Sequence, residues 1–210
     1  MTKQSRFLFS IPYFIWLLLF VVTPLGMIFY KSFFDINGQV TLGNYTNYFA
    51  SGNYLEMTFN SVWYAFLVTL VTLLVSYPTA LFLSRTKHKQ LWLLLIILPT
   101  WVNLLLKAYA FIGIFSQTGT VNNFLSLFGL APQEFLFTDF SFLTVAAYIE
   151  LPFMILPIFN SIEELPGSLI AASRDLGATK WDTFRRVIFP LTMNGVRSGV
   201  QAVFIPSLSL

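Results

Sequence analysis

Residues 160–191 read NSIEELPGSLIAASRDLGATKWDTFRRVIFPL. This run is basic and amphipathic, and it lies between apolar stretches on either side. Pro166-Gly167 marks a turn, and Ser168 is placed to cap a helix that starts at Leu169. Leu169, Ala172 and Leu176 then share one face at i, i+3 and i+7. Gly177 falls where a helix C-terminus needs a residue tolerant of positive φ. Thr179-Lys180-Trp181-Asp182 has the spacing of a capping box that opens a second helix. Trp181, Phe184 and Ile188 share a face of that helix, and Pro190 is expected to end it. The prediction is two short helices joined by a glycine elbow, apolar on one side and basic on the other through Arg174, Lys180, Arg185 and Arg186. Such a pair either rests on anionic lipid with its arginines at the headgroups or receives a cytosolic partner.

The surrounding chain says what kind of protein carries this segment. Of its 210 residues 56% are hydrophobic and only 10% charged, against about 25% charged in soluble domains. That composition cannot cover a globule with polar surface, so lipid is the expected solvent. There is no cysteine, which excludes disulfides, thiolate metal sites and a cysteine nucleophile. The single histidine, His88, sits between Lys87 and Lys89, which argues against a zinc site or a Ser-His-Asp triad. No metal site is expected.

Four apolar runs precede the organising segment. They are Phe7 to Tyr30, Met57 to Ser84, Leu91 to about Phe115, and Ser141 to about Ile162. The first is too long for the apolar core of a signal peptide, and no small-residue cleavage site follows it. The polar stretch Lys31 to Glu56 carries turn signals at 35–38 and 51–53, and Ser116 to Phe140 reads as a longer loop. Residues 1–6 form a polar N-terminus, 7–162 hold the four spans, 163–191 the amphipathic segment, and 192–210 the start of a fifth span. That last stretch is shorter than the roughly 20 residues a crossing needs, so the chain is read as truncated within it.

Ten of the twelve Lys and Arg residues lie in the N-terminus, the 85–90 loop and the region from Arg174 to Arg197. Positive charge stays in the cytoplasm, which puts these three regions inside and the loops at 31–56 and 116–140 outside. The fold class expected is all-α, a polytopic bundle of transmembrane helices.

The 160–191 segment resembles the cytoplasmic coupling loop of ABC-importer permeases. Their pattern is Glu-Ala-Ala, three residues, Gly, nine residues, then Ile-x-Leu-Pro. Here Ala171-Ala172-Ser173 stands at the first three positions, Gly177 at the glycine, Val187 at the isoleucine and Phe189-Pro190 at the Leu-Pro. Ser173-Arg174-Asp175-Leu176-Gly177-Ala178 is similar to the family's Ala-Arg-Asp-Leu-Gly-Ala, whereas the glutamate is replaced by Ala171. Pro24 in the first span, Asn44-Tyr45, Asn60-Ser61 and Leu151-Pro152-Phe153 extend the likeness over most of the chain. They resemble the B-type permease subunit of bacterial spermidine/putrescine importers.

This resemblance implies the bundle of a type I ABC-importer permease, with five spans present and the last incomplete. It implies a multi-pass subunit of the cytoplasmic membrane that is not itself an enzyme. The expected partners are a second permease subunit, two cytosolic ATPase subunits and an external solute-binding protein, with no nucleic acid. A heterodimer of permeases is favoured over a homodimer. ATP and Mg would be bound by the ATPase, since this chain has no phosphate-binding Gly-x4-Gly-Lys-Ser/Thr loop and needs no cofactor of its own. Leu169, Ala171, Ala172, Ser173, Arg174, Asp175, Gly177, Ala178, Trp181, Phe184 and Pro190 are the residues expected to couple to the ATPase. The solute implied is a polyamine. A permease for another small solute shares the same loop, and an ion-coupled secondary transporter is the rival reading.

Two charges lie inside apolar spans. Counted at about 1.5 Å per residue, Lys107 is about 12 Å and Glu150 about 14 Å from the outer ends, so they can pair. An intramembrane charge faces protein or a water-filled cavity. Glu150 is therefore either half of a structural pair or a site that attracts a cationic amine. Trp101, Asn103, Tyr109 and Tyr148 are candidates to line the same path, because aromatic faces attract cations, or they belong to the core and the interfacial belt. Pro78, Pro99, Pro152 and Pro157 are expected to kink their spans, as packing features or as hinges.

Overall fold

The computed structural model describes residues 3–209, with side chains from residue 10 onward. The ends of the expected N-terminal and C-terminal segments, residues 1–2 and Leu210, and the side chains of Lys3 and Arg6, lie outside the described residues. The chain divides into two units, Met1–Phe59 and Asn60–Leu210.

In the first unit, helix α1 (Lys3–Leu17) passes through a π-helical turn (Leu18–Val22) into α2 (Thr23–Lys31). The wide turn has a local cause. Pro24 cannot donate a backbone hydrogen bond, and the π register lets the Thr23 N–H reach the Leu18 carbonyl just before it. From Ser10 to Lys31 no residue of this span is fully buried, as suits a helix whose surroundings are lipid or another subunit. The 35–38 turn forms as expected, with Gly38 at φ 75° and its N–H donating to the Asp35 carbonyl at 2.9 Å. Asn44 opens α3 (Gly43–Ala50), and its amide donates to the carbonyls of Ser32 and Phe34 at 2.9 and 3.0 Å. The Tyr45 hydroxyl lies 2.6 Å from that of Ser32. Ser51 is extended, and α4 begins at Gly52, five residues before the expected start of the second span.

α4 (Gly52–Ser84) carries the chain into the second unit. Its Thr69, Thr72 and Thr79 hydroxyls donate to carbonyls four residues back at 2.6–2.7 Å, which satisfies them without water. The third span departs from the single helix expected over 91–115. It is α5 (Lys89–Ile97), a 3₁₀ turn (Leu98–Trp101) and α6 (Leu104–Phe115). Pro99 sits in the first turn of the 3₁₀ segment, and Val102 is extended at ψ 134°, so the α-helical ladder stops and must be recapped by Asn103. The 116–140 stretch is also more ordered than a loop. It contains α7 (Thr120–Ser126), pinned by buried Asn122, whose amide donates to the Ser116 and Gln133 carbonyls and whose Oδ1 accepts from the Gln133 N–H at 2.8 Å.

α8 (Asp139–Glu163) is the centre of this unit, capped by the Thr138 hydroxyl and continuous through Pro152 and Pro157. The core gathers Val68, Tyr77, Ala80 and Leu83 of α4, Ala146, Met154, Ile155, Ile158 and Phe159 of α8, and Val196 and Val203 further along the chain. α12 (Met193–Ser207) packs closely on α8. Gly195 and Gly199 make this approach possible. A Cβ on Gly195 would stand 2.6 Å from the Pro157 carbonyl oxygen, and one on Gly199 2.7 Å from Met154 Sδ. At 15 residues α12 is shorter than a full crossing. Among the described residues four helical runs are long and apolar enough to span a bilayer, Ser10–Lys31, Gly52–Ser84, Leu104–Ser126 and Asp139–Glu163, with Lys89–Trp101 a shorter apolar piece.

Candidate coupling element and transmembrane path

The amphipathic segment folds as the predicted helix pair, with two corrections. α9 (Gly167–Asp175) starts two residues earlier than expected, and Pro166 rather than Ser168 is its N-cap. Pro166 has a fixed φ of −61° and an extended ψ of 123°, so its carbonyl is already turned to accept the Leu169 N–H at 3.0 Å. The C-terminus agrees with the sequence. Gly177 has φ 81°, its N–H donates to the Arg174 carbonyl at 2.8 Å, and the Ala178 N–H donates to the Ser173 carbonyl at 3.1 Å. These are the two bonds of a Schellman motif, which an L side chain at the glycine would strain.

α10 (Lys180–Thr183) opens with the predicted capping box. The Asp182 N–H donates to Thr179 Oγ1 at 3.1 Å, and the Thr179 N–H donates back to Asp182 Oδ2 at 3.3 Å. The Thr179 hydroxyl also donates to Asp182 Oδ2 at 2.5 Å. That hydroxyl first, then the Thr179 N–H, holds the Asp182 carboxyl below its ordinary value of 3.8; slight burial opposes this, and Arg186 and Arg185 reinforce it.

The second correction concerns Pro190, which does not end the helix. α10 runs into a π-helical turn (Phe184–Ile188) and on to α11 (Phe189–Leu191). The Phe189 N–H reaches the Phe184 carbonyl, and the widened register of the π turn carries the helical backbone on to Pro190, which cannot donate, in the first turn of α11. The break comes at Thr192, with φ −89° and ψ 2°.

The two faces of the pair differ in how they are used. Ser173, Thr183, Phe184 and Ile188 turn inward and are buried or half-buried. The Ser173 and Thr183 hydroxyls lie 3.0 Å apart and tie α9 to α10. The Leu169–Ala172–Leu176 stripe turns outward, with Leu176 89% exposed and Trp181 66% exposed beside it. Ala171, Arg174 and Asp175 are exposed as well, and Ala178 is half-buried. The base of the pair is anchored by an ion pair between Lys89 of α5 and Glu163 of α8.

The residues expected along a transmembrane path are less convergent. Glu150 is 7% exposed on α8, and Lys107 is half-buried on α6. Among the described residues no Lys107–Glu150 ion pair forms within 4.0 Å, so the pairing that their similar depths permit is not a direct salt bridge. Asn103 has a local duty, since its Oδ1 accepts the Leu105 N–H at 2.8 Å and caps α6. Trp101 and Tyr109 are exposed, and Tyr148 packs edge-to-face on Phe111 with ring centroids 5.1 Å apart. Among the described residues no cluster of three His, Cys, Asp or Glu could hold a metal.

Three features escaped the sequence reading. The Gly195-x3-Gly199 spacing was visible and is a known signal of close helix approach in membranes. The Lys89–Glu163 pair and the Tyr77–Thr192 hydrogen bond join residues 74 and 115 positions apart, and no local pattern announces them.

No protein-family model matches the chain. It is 38% identical over 205 residues to the spermidine/putrescine transport system permease protein PotB of Escherichia coli (strain K12), covering 93% of this chain and 74% of the relative. With the protein of the same name from Haemophilus influenzae it shares 35% over 207 residues, 94% of this chain and 72% of that one. It is 33% identical over 197 residues to the inner membrane ABC transporter permease protein YdcU of E. coli, 84% of this chain and 60% of that protein. A bacterial alginate ABC transporter, crystallised with its pentasaccharide-bound periplasmic protein, superposes with a TM-score of 0.74 at 20% identity, over 91% of this chain and 68% of that chain. The helical fold is thus that of an ABC-transporter permease, and the chain belongs to the PotB family of spermidine/putrescine transport permeases.

Proposed function

We propose that this chain is one permease subunit of an ATP-driven importer that moves polyamines from an external binding protein into the cytoplasm. The observation that carries the reading is the coupling element. Two short helices are locked by a Schellman motif, a capping box and the Ser173–Thr183 bond, yet they present Leu169, Leu176 and Trp181 bare to the outside. A rigid element with an uncovered apolar stripe suits docking into a groove of an ATPase subunit. That ATPase would bind ATP and Mg, and its closure would rock this subunit and a second permease between inward-facing and outward-facing states.

The cationic solute fits the relatives' names and one feature of the chain, the buried carboxylate of Glu150 within a span. The distribution of Lys and Arg supports a cytoplasmic N-terminus and coupling element, with the loops at 31–56 and 116–140 facing the binding protein.

The test is purification of the tagged full chain from its native membranes, beside Gly177→Trp, with the co-purifying proteins identified. Recovery of an ATPase subunit with the wild type and its loss with the variant is the expected result. ATP-dependent spermidine uptake by the recovered complex would then fix the solute class. Well-folded wild-type protein that carries no ATPase would overturn the reading.

A further inference from the structure

Tyr77 is the side chain on which the coupling element is seated. It lies on α4, seven residues before the helix ends and next to Pro78. Its ring is edge-to-face with Phe184 at 5.9 Å and tilted against Phe189 at 5.6 Å, and those two rings are 6.1 Å apart. Its hydroxyl is 2.8 Å from Thr192 Oγ1. Thr192 is fully buried, and its own proton is directed to the Ile188 and Phe189 carbonyls at 2.9 and 3.2 Å. The Tyr77 O–H is therefore the donor to Thr192.

This places one buried residue against both limbs of the segment. Phe184 opens the π turn and stacks on exposed Trp181 at 5.4 Å. Thr192 is the break between α11 and α12, the point at which the chain leaves the coupling element for its next apolar helix. Tyr77 bridges the two, and it directly precedes Pro78, which cannot donate to the α4 backbone ladder. A push on Trp181 meets a contiguous stack of rings that ends on α4.

We propose that Tyr77, through its rings on Phe184 and Phe189 and its hydrogen bond to Thr192, is the positioning residue that holds the coupling helices in register with α4 and makes ATPase closure productive. The proposal rests on the coupling function proposed above. In this proposal Tyr77 acts through the orientation of the helix pair. Two features make a clean test possible. Tyr77→Phe keeps both ring contacts, and it orphans no buried donor because Thr192 retains its backbone acceptors.

The experiment uses the complete importer reconstituted in liposomes with its ATPase, second permease and binding protein. ATP hydrolysed per spermidine imported is measured for wild type, Tyr77→Phe, Thr192→Val and the double variant. The expected result is a rise of about threefold or more in that ratio for either single variant. The double variant should be no worse than the singles, since both remove one bond. Hydrolysis itself is retained, which a merely unstable protein would not do. A ratio unchanged in Tyr77→Phe, or uptake and hydrolysis falling in parallel, overturns the proposal while leaving the importer reading intact. A wild-type complex without ATP-dependent uptake overturns both.

Discussion

The Ser173 hydroxyl of α9 and the Thr183 hydroxyl of α10 lie 3.0 Å apart, and the bond between them sets the angle of the helix pair. Ser173 gives its proton to the Ile170 carbonyl at 2.9 Å, so Thr183 is the donor across the elbow. Thr183 is almost fully buried, and valine has its shape without the donor. Thr183→Val should weaken the clamp by about 1 kcal/mol. In the assembled importer, hydrogen exchange over residues 167–183 should quicken about fivefold while α4 and α8 are unaffected. Unchanged protection there would show that the elbow is held by the Schellman motif and the capping box alone.

The glycines between α8 and α12 are not equivalent. A Cβ at Gly195 meets Ser161 Cβ at 2.5 Å, the Pro157 oxygen at 2.6 Å and Ile158 Cα at 3.1 Å, most of it backbone that cannot give way. At Gly199 the closest atom is Met154 Sδ at 2.7 Å, the movable end of a flexible side chain. Gly195→Ala should therefore destabilise by roughly 1–3 kcal/mol and Gly199→Ala by less than half of that. Thermal midpoints of the purified complex in detergent give the order directly, and equal losses would argue against the close approach.

The capping box is expected to keep the proposed coupling element intact in mild acid. The Asp182 carboxyl titrates below 3.8 in the folded protein. Its contribution is complete above the unfolded value of 3.8 and is lost only as the pH falls through the lower folded value. Retention of the ATPase on the immobilised permease should be level from about pH 8 to about pH 5. Asp182→Ala removes the box and should weaken retention at every pH in that range. Release centred near pH 6 would point to a different titrating group.

Under the proposed function, Glu150→Gln should separate transport from stability. Glu150 is buried without an ion pair to Lys107 among the described residues, so neutralising it breaks no such contact. Glu150→Gln should leave the thermal midpoint unchanged or raise it, because a buried charge without a direct ion pair is costly to hold in a span. The same change should lower spermidine uptake about tenfold, the equivalent of about 1.4 kcal/mol. A variant that transports normally would remove Glu150 from the solute path.

Composition and spacing were enough for the class and for the helix pair that follows Pro166. An apolar chain with four long runs must solvate itself in lipid, and hydropathy reads that without a structure. The glycine elbow at Gly177 and the Thr179–Asp182 box were legible because each is a local motif whose hydrogen bonds close within six residues. Pro99, Pro166 and Pro190 show where local reading gives out. Each was visible, but whether a proline breaks, caps or merely follows a widened turn depends on which carbonyls its neighbours can reach.

What only the tertiary structure decided is which of the equally apolar faces meet. Gly195 and Gly199 select the face of α12 that lies on α8, because only there can two backbones approach within van der Waals contact. Tyr77 finds Thr192 across 115 positions, and Lys89 finds Glu163 across 74. Hydropathy cannot rank such pairings, since in lipid every apolar surface is solvated nearly as well as every other. Shape complementarity and the need to satisfy buried hydroxyls make the choice, and both are properties of the folded chain.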